Sequence, residues 1–316
     1  MTDTWQSSAT LDTLRLRAEL LAIIRQFFEQ RDFLEVETPL LSKFTVSDPH
    51  VDAFSLNDGT NELFLQTSPE YAMKRLLAQG SGPIFQICKS FRGGEHGSRH
   101  SAEFTILEWY RPGFDHHQLM AQVVDLVYQV LGLLPTQSFT YRQLFLKFLN
   151  IDPHEVSDDV LCSLARSQLD LNFHEGDRNT WLDILLTGLI EPKLQGLTFI
   201  YDYPESQAAL ARIENDGAGT AVGRRFELYI NDMELANGYF ELCDHREQRS
   251  RFLKDNRRRK IMGKLPREID DHLLAALQFG LPKCSGVALG LDRLLMIHAG
   301  EKDISKVISF GKDYWQ

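Results

Sequence analysis

The stretch FRGGEHGSRHSAEFTILEWYR, Phe91 to Arg111, decides how the rest of the chain is read. An apolar run holding Ile84, Phe85, Ile87 and Phe91 leads into it and ends on Arg92. A polar, Gly-rich segment spans Gly93 to Ser101. Glu103 to Tyr110 then alternates Phe, Thr, Ile, Leu, Trp and Tyr, residues that favour strands. The pattern predicts strand, long loop, strand, with Arg92 and Arg99 at the mouth and Glu103 and Glu108 on the return. Arginine forks onto phosphate oxygens and glycine lets a backbone come close, so the loop suits a polyphosphate. A surface hairpin with solvated charges is the plain alternative.

Upstream, apolar residues at Leu14, Ala18, Leu21, Ile24 and Phe28 mark a helical stripe after a loose start over residues 1–13. RDFLEVETPLL follows, a short strand closed by Pro39. Ser68-Pro69-Glu70 opens a helix, with serine as cap, proline first and glutamate in the first turn. Downstream, His116 to Leu133 repeats at helical spacing, and His116 and His117 read as surface residues. Residues 140–195 read as a helical insertion: Tyr141 to Leu149, Ser157 to Leu169 and Thr180 to Leu194. No linker divides the chain, so it reads as one domain, 14–316, with that insertion.

RFELYINDMELANGYFEL, Arg225 to Leu242, carries a turn signal at Asn231-Asp232 between two alternating runs. In that hairpin Glu227 lies diagonally across from Glu234, and the pair would repel without a cation between them. Oxygen ligands favour Mg²⁺ held by one or two carboxylates plus phosphate. Glu234 and Glu241 are an odd number apart, so a shared face needs a bulge, expected at Asn237-Gly238. A solvated hairpin without metal is the alternative. Arg257 to Lys260 is a basic run, read first as a solvated helix face and second as a docking patch for an acidic partner. In SGVALGLDRLLMI, Gly286 and Gly290 bracket a short strand, and Asp292-Arg293 opens a helix.

The 316 residues are 43% hydrophobic and 25% charged, as in ordinary globular proteins. A net charge of −10 argues against general nucleic-acid binding. Cys88, Cys162, Cys243 and Cys284 show no metal-type pairing and read as reduced thiols. The start has no secretory pattern and no run matches a membrane span, so a cytoplasmic protein is expected.

Taken together, these stretches resemble the catalytic core of class II aminoacyl-tRNA synthetases, the lysyl branch in particular. FLEVETPLL is similar to motif 1, with Pro39 as its proline and a dimer interface implied around it. FRGGEHGSRHSAEFTILEWY resembles motif 2 and GVALGLDR motif 3, while TSPE, EWY and ELANGYFEL resemble the lysine-pocket segments. The resemblance implies an α+β fold with a mostly antiparallel sheet flanked by helices. Motif 1 arrives by Pro39, so no anticodon-binding barrel is expected before it. That arrangement resembles the elongation factor P–lysine ligase family, whose members activate (R)-β-lysine with ATP and attach it to a lysine of elongation factor P. An enzyme activating α-lysine for tRNA or another amine, and a paralogue without catalysis, are the competing readings.

The resemblance also assigns roles. Arg92 is expected on the α-phosphate and substrate carboxylate, Arg293 on the γ-phosphate with Arg99 beside it, and Glu234, assisted by Glu227, on Mg²⁺. Phe104 stacks on adenine, and Gly290 and Leu235 lie against the nucleotide. Gly93, Gly94, Glu95 and Ser101 belong to the nucleotide loop. Ser68, Pro69, Glu70, Glu108, Tyr110, Asn237 and Glu241 are expected around the substrate's ammonium groups. Ala288 stands where lysyl-tRNA synthetases carry glycine, which narrows the pocket against α-lysine. Gly93-Gly94 replaces the usual Asn-Glu of motif 2, with Glu95 next; Ser101 and Ala102 replace a usual Asn-Pro.

Overall fold

A computed structural model describes residues 5–171 and 176–311. In chain order, α1 (Leu11–Glu29) leads to β1 (Leu34–Glu35), β2 (Leu41–Ser42), β3 (Ser55–Asn57) and β4 (Glu62–Leu65). Next come α2 (Glu70–Ala78), β5 (Ile84–Phe91), β6 (Glu103–Pro112) and α3 (His116–Leu131). Then β7 (Thr136–Thr140) precedes α4 (Tyr141–Leu149), α5 (Asp158–Gln168), α6 (Arg178–Leu185) and β8 (Leu197–Pro204). The last third holds β9 (Ile213–Asn215), β10 (Ala221–Ile230), β11 (Met233–Phe240), α7 (His245–Ile261), α8 (Asp271–Gly280), β12 (Cys284–Gly290) and α9 (Leu291–Ala299).

Nine strands form the main sheet, in the order β1-β5-β6-β12-β11-β10-β8-β7, with β9 also on β10. Only the pairs β1–β5 and β7–β8 are parallel. The sheet is therefore mostly antiparallel, as expected, and β2, β4 and β3 make a small second sheet. One face of the main sheet is apolar. Leu107, Trp109, Val287, Leu289, Phe226 and Leu228 alternate onto it and pack against α1, α3 and α9. This leaves the opposite face of β6, β12 and β11 for polar side chains.

Several expectations need correction. Helix α1 starts at Leu11, not Leu14, because Thr10 caps it by accepting the Thr13 amide. Its buried residues are Leu20, Ile24, Phe27 and Phe28, and Ala18 is exposed. The start is not loose throughout. Ser8 donates its amide to the Ser309 carbonyl at 2.9 Å. Residues 1–4 lie outside the described residues. The FLEVE strand shrinks to Leu34–Glu35, since only those residues find a partner, in β5. In α2, Pro69 takes the cap position; the Ser68 hydroxyl still accepts the Glu70 amide at 3.0 Å.

His116 is buried, at 4% exposure, with Nε2 3.4 Å from Asp202, while His117 is exposed as expected. The first turn of α3 faces the sheet, which turns His116 inward. The insertion helices α4 and α5 sit where the periodicity placed them. The third ends at Leu185, and a single wider turn, Leu186–Ile190, follows. Together they form the crossover between β7 and β8, and their core includes Ile200, Tyr203 and Tyr229 of the sheet. Arg259 is not a solvated residue. It is 2% exposed and donates to the carbonyls of Leu265 and Asp48. Arg258 pairs with Asp177.

Candidate active site

Strand register places the site residues in rows. Glu108 pairs with Ala288, Ala288 with Asn237, and Asn237 with Glu227. The next row is Tyr110, Gly286, Tyr239 and Arg225. Directly paired residues share a face, and two residues along a strand restore it. Residues far apart in sequence therefore line up across one polar surface. Glu234 joins it only through a bulge. The register between β10 and β11 shifts between Leu228 and Tyr229 and skips Leu235, so the bulge lies there and not at Asn237-Gly238.

These residues line a cavity of about 280 Å³. One end is cationic. Arg92, Arg99 and Arg293 line it, with Glu95, Ser101 and Phe104. The guanidinium of Arg92 lies 5.1 Å from the Phe104 ring centre and 3.6 Å from the Glu95 carboxylate. Arg293 donates to the Glu234 carbonyl at 2.7 Å and lies 2.7 Å from His100 Nε2. Burial first, then Arg293, holds His100 below its ordinary pKa. A neutral ring can accept the arginine's proton, so His100 fixes the fork. Arg99 donates to the Asp232 carboxylate at 2.8 Å, which draws its head toward the hairpin turn. Leu235 and Gly290 complete this end.

The other end is anionic. Ser68, Glu70, Glu108, Tyr110, Asn237 and Ala288 line it. Both Glu108 oxygens are occupied, by the Ser68 hydroxyl at 2.7 Å and the Tyr110 hydroxyl at 2.6 Å. Burial first, then the Glu70 charge, pushes Glu108 up to about 7. Such a carboxylate ionises most readily when a cation arrives.

Five expected residues do not line the cavity: Pro69, Gly93, Gly94, Glu227 and Glu241. Glu241 is fully buried one layer behind, 2.6 Å from the Lys74 ammonium. Glu227 accepts from Tyr203, Tyr229, Asn237 and Arg225. Its lone pairs are largely filled, which suits support from behind better than direct metal ligation. Glu234 lines the cavity, and desolvation together with Glu227 pushes it up to about 7. One carboxylate at a phosphate-sized, arginine-lined end fits Mg²⁺, which takes few protein ligands. Among the described residues no three acidic, His or Cys side chains cluster as a metal site.

The description "tRNA synthetases class II (D, K and N)" matches residues 2–314. The elongation factor P–(R)-β-lysine ligase of Salmonella typhi is 48% identical over 99% of this chain and 98% of its own length. The proteins of that name from Pasteurella multocida and Mannheimia succiniciproducens are 45% and 46% identical, each over 98% of both chains. The chain belongs to the elongation factor P–(R)-β-lysine ligase family. Its antiparallel sheet and flanking helices are the class II synthetase core that the motifs implied.

Membership makes the Gly93-Gly94 departure readable. The Gly93 amide donates to the Asp52 carbonyl at 2.6 Å, and a Cβ there would meet Asp52 at 3.4 Å. Gly94 has φ +77°, a conformation glycine adopts freely. The two glycines turn the backbone so that Glu95, one position later, reaches the cavity beside Arg92. Asp52 is itself held by Lys264 at 2.9 Å.

Sequence reasoning missed four contributors. His100 adjoins Arg99 in the loop and drew no attention because histidines in loops are common. Tyr239 and Gly286 pair with each other across strands, and only register reveals that. Lys74 stands one turn after Glu70 and reads as an ordinary helix-surface pair.

Proposed function

We propose that this protein activates (R)-β-lysine with ATP as an aminoacyl-adenylate and transfers it to a lysine side chain of elongation factor P. The observation that carries this reading is the polarity of the cavity, arginines at one end and carboxylates at the other. A diammonium acid spans it with its carboxylate toward Arg92 and its ammonium groups toward Glu70 and Glu108. The relatives' names supply the acceptor.

The substrate carboxylate attacks the α-phosphorus of ATP, and the bond to pyrophosphate breaks. Arg92 steadies the charge developing at the α-phosphate; Arg293 and Arg99 hold the departing phosphates. Their placement before the reaction supplies most of the rate. The neutral amine of the acceptor lysine then attacks the adenylate carbonyl, and AMP leaves. Mg²⁺, when bound, neutralises phosphate charge; Glu234 would hold it, with Glu227 assisting from behind. Phe104 offers its ring to adenine, and Ala288 crowds the substrate backbone.

The net charge of −10 supports a protein acceptor and no tRNA anticodon recognition. Exposed Leu40 and Leu41 beside Pro39 support a homodimer through the motif 1 region. The four cysteines are free and no described helix is long and apolar enough to cross a membrane, which supports a cytoplasmic protein without membrane attachment. Pyrophosphate exchange with (R)-β-lysine and α-lysine, followed by transfer to elongation factor P, tests the reading. Exchange favouring β-lysine is expected. Preference for α-lysine, or no exchange with either, would overturn it.

A further inference from the structure

One buried charge at the anionic end has no role in that reaction. Lys74 lies on α2, one turn after Glu70, with 3% of its side chain exposed. Its ammonium is 2.6 Å from Glu70 and 2.6 Å from Glu241. Glu70 lines the cavity; Glu241 lies behind Gly286, fully buried. A Cβ on Gly286 would come within 2.7 Å of Glu241 Oε1, and that oxygen accepts no hydrogen bond.

From this geometry we infer that Lys74 is the pocket's internal counter-charge: it neutralises one of the three surrounding carboxylates and so sets at two the ammonium groups a substrate must bring. This inference rests on the function proposed above and deepens it.

The formal count is simple. Glu70, Glu108 and Glu241 contribute three negative charges and Lys74 one positive charge, leaving two negative. The other titratable groups packed here are Tyr110, Tyr239 and Cys284, which burial keeps neutral by raising their pKa, and Cys88, pushed up to about 12. Burial opposes a charge on Lys74, yet Glu241 and then Glu70 hold it well above the ordinary lysine value. It is therefore a fixed cation. Burial, and beyond it Glu70, still pushes Glu241 up to about 8, so the local charge is not balanced by Lys74 alone. Uncompensated buried charge is costly. An acid with two ammonium groups completes the balance, whereas one ammonium leaves a carboxylate unpaired. Lys74 acts through Glu70 and Glu241, which makes it a positioning and specificity residue, not a catalytic one.

The test uses the full chain and calorimetric binding of β-lysine and of its analogue lacking the terminal ammonium. Lys74→Met keeps the stem and removes the charge. It should weaken β-lysine by about tenfold near neutral pH, leave ATP affinity within about twofold, and raise the pH midpoint for β-lysine binding by about one unit. Lys74→Met with Glu241→Gln restores the count of two and should return the midpoint toward wild type. Glu241→Gln alone, with Lys74 kept, should cut the preference for β-lysine over the analogue by about tenfold. A structural lysine would move neither midpoint nor preference, and that result overturns the inference. So does a double variant no better than Lys74→Met. If Lys74→Met does not fold, the preference of Glu241→Gln decides, and an unchanged preference overturns the inference. Wild-type protein that binds β-lysine without pyrophosphate exchange sinks the proposed reaction and leaves the charge count to the variants. Wild-type protein that binds neither acid overturns both.

Discussion

Arg293 donates from Nη1 to the backbone carbonyl of Glu234, 2.7 Å away, so α9 and β11 are joined at the cationic end of the cavity. The same guanidinium contacts the Arg99 carbonyl and His100. Lysine has no fork and cannot keep these contacts while also meeting phosphate. Arg293→Lys should lower pyrophosphate exchange by about 10²-fold, with a smaller change in β-lysine affinity. Equal losses in both would count against a phosphate role.

Gly286 is the position where a methyl group fits least well in the pocket floor. A Cβ there would lie 2.2 Å from the Tyr110 ring and 2.7 Å from Glu241. Both neighbours are fully or nearly buried and cannot swing away. Gly286→Ala should cost about 1–3 kcal/mol of stability and raise the KM for β-lysine more than that for ATP. Chemical denaturation and exchange kinetics check the two parts.

Ala288 pairs with Glu108 on one side and Asn237 on the other. Removing its methyl opens space beside the substrate backbone. Ala288→Gly should shift selectivity toward α-lysine by about tenfold or more, the usual scale for one carbon in a pocket. Exchange rates with the two lysines measure it.

The free protein should lose stability as pH rises from about 4.5 to about 7. Glu108 titrates near 7 in the folded chain, against 4.5 for an ordinary glutamate. Between those values the folded state holds a proton that the unfolded chain has released, so raising pH favours unfolding. Glu234 and Glu241, raised to about 7 and about 8, act in the same direction. Glu108→Gln should flatten the slope, and urea midpoints across that window will show it. Binding of a diammonium acid needs ionised carboxylates, so it should strengthen over the same rise.

The basic run divides into two roles. Arg259 ties α7 to the loop at Asp48, and Lys264 ties the same region to Asp52 and hence Gly93. Arg259→Ala should impair adenylate formation and stability together. Arg257 and Lys260 are exposed. Reversing both to Glu should raise the KM for the protein acceptor and leave pyrophosphate exchange unchanged. Equal effects on both assays would reject a docking role.

What the sequence determined by itself was the order and kind of the elements around the site. Strand-loop-strand at Phe91–Arg111, the Asn231-Asp232 hairpin and the glycine-bracketed strand before Arg293 were all legible. Each depends on local propensity or on a turn that only certain residues adopt. The motifs they carry also identified the family, because several weak patterns in fixed order are specific together. Tertiary structure alone decided which side chains meet. The bulge at Leu235 brings Glu234 into the cavity, and its position depends on pairing with β10, not on any signal near Asn237-Gly238. Register put Gly286 beneath Tyr110 and hid Glu241 behind it. Lys74 became a buried counter-ion only because β11 delivered Glu241 to the far side of α2, at a separation of 167 residues that no local pattern reaches. Period and propensity report a residue's own element; charge balance in a closed pocket depends on all of the elements that wall it.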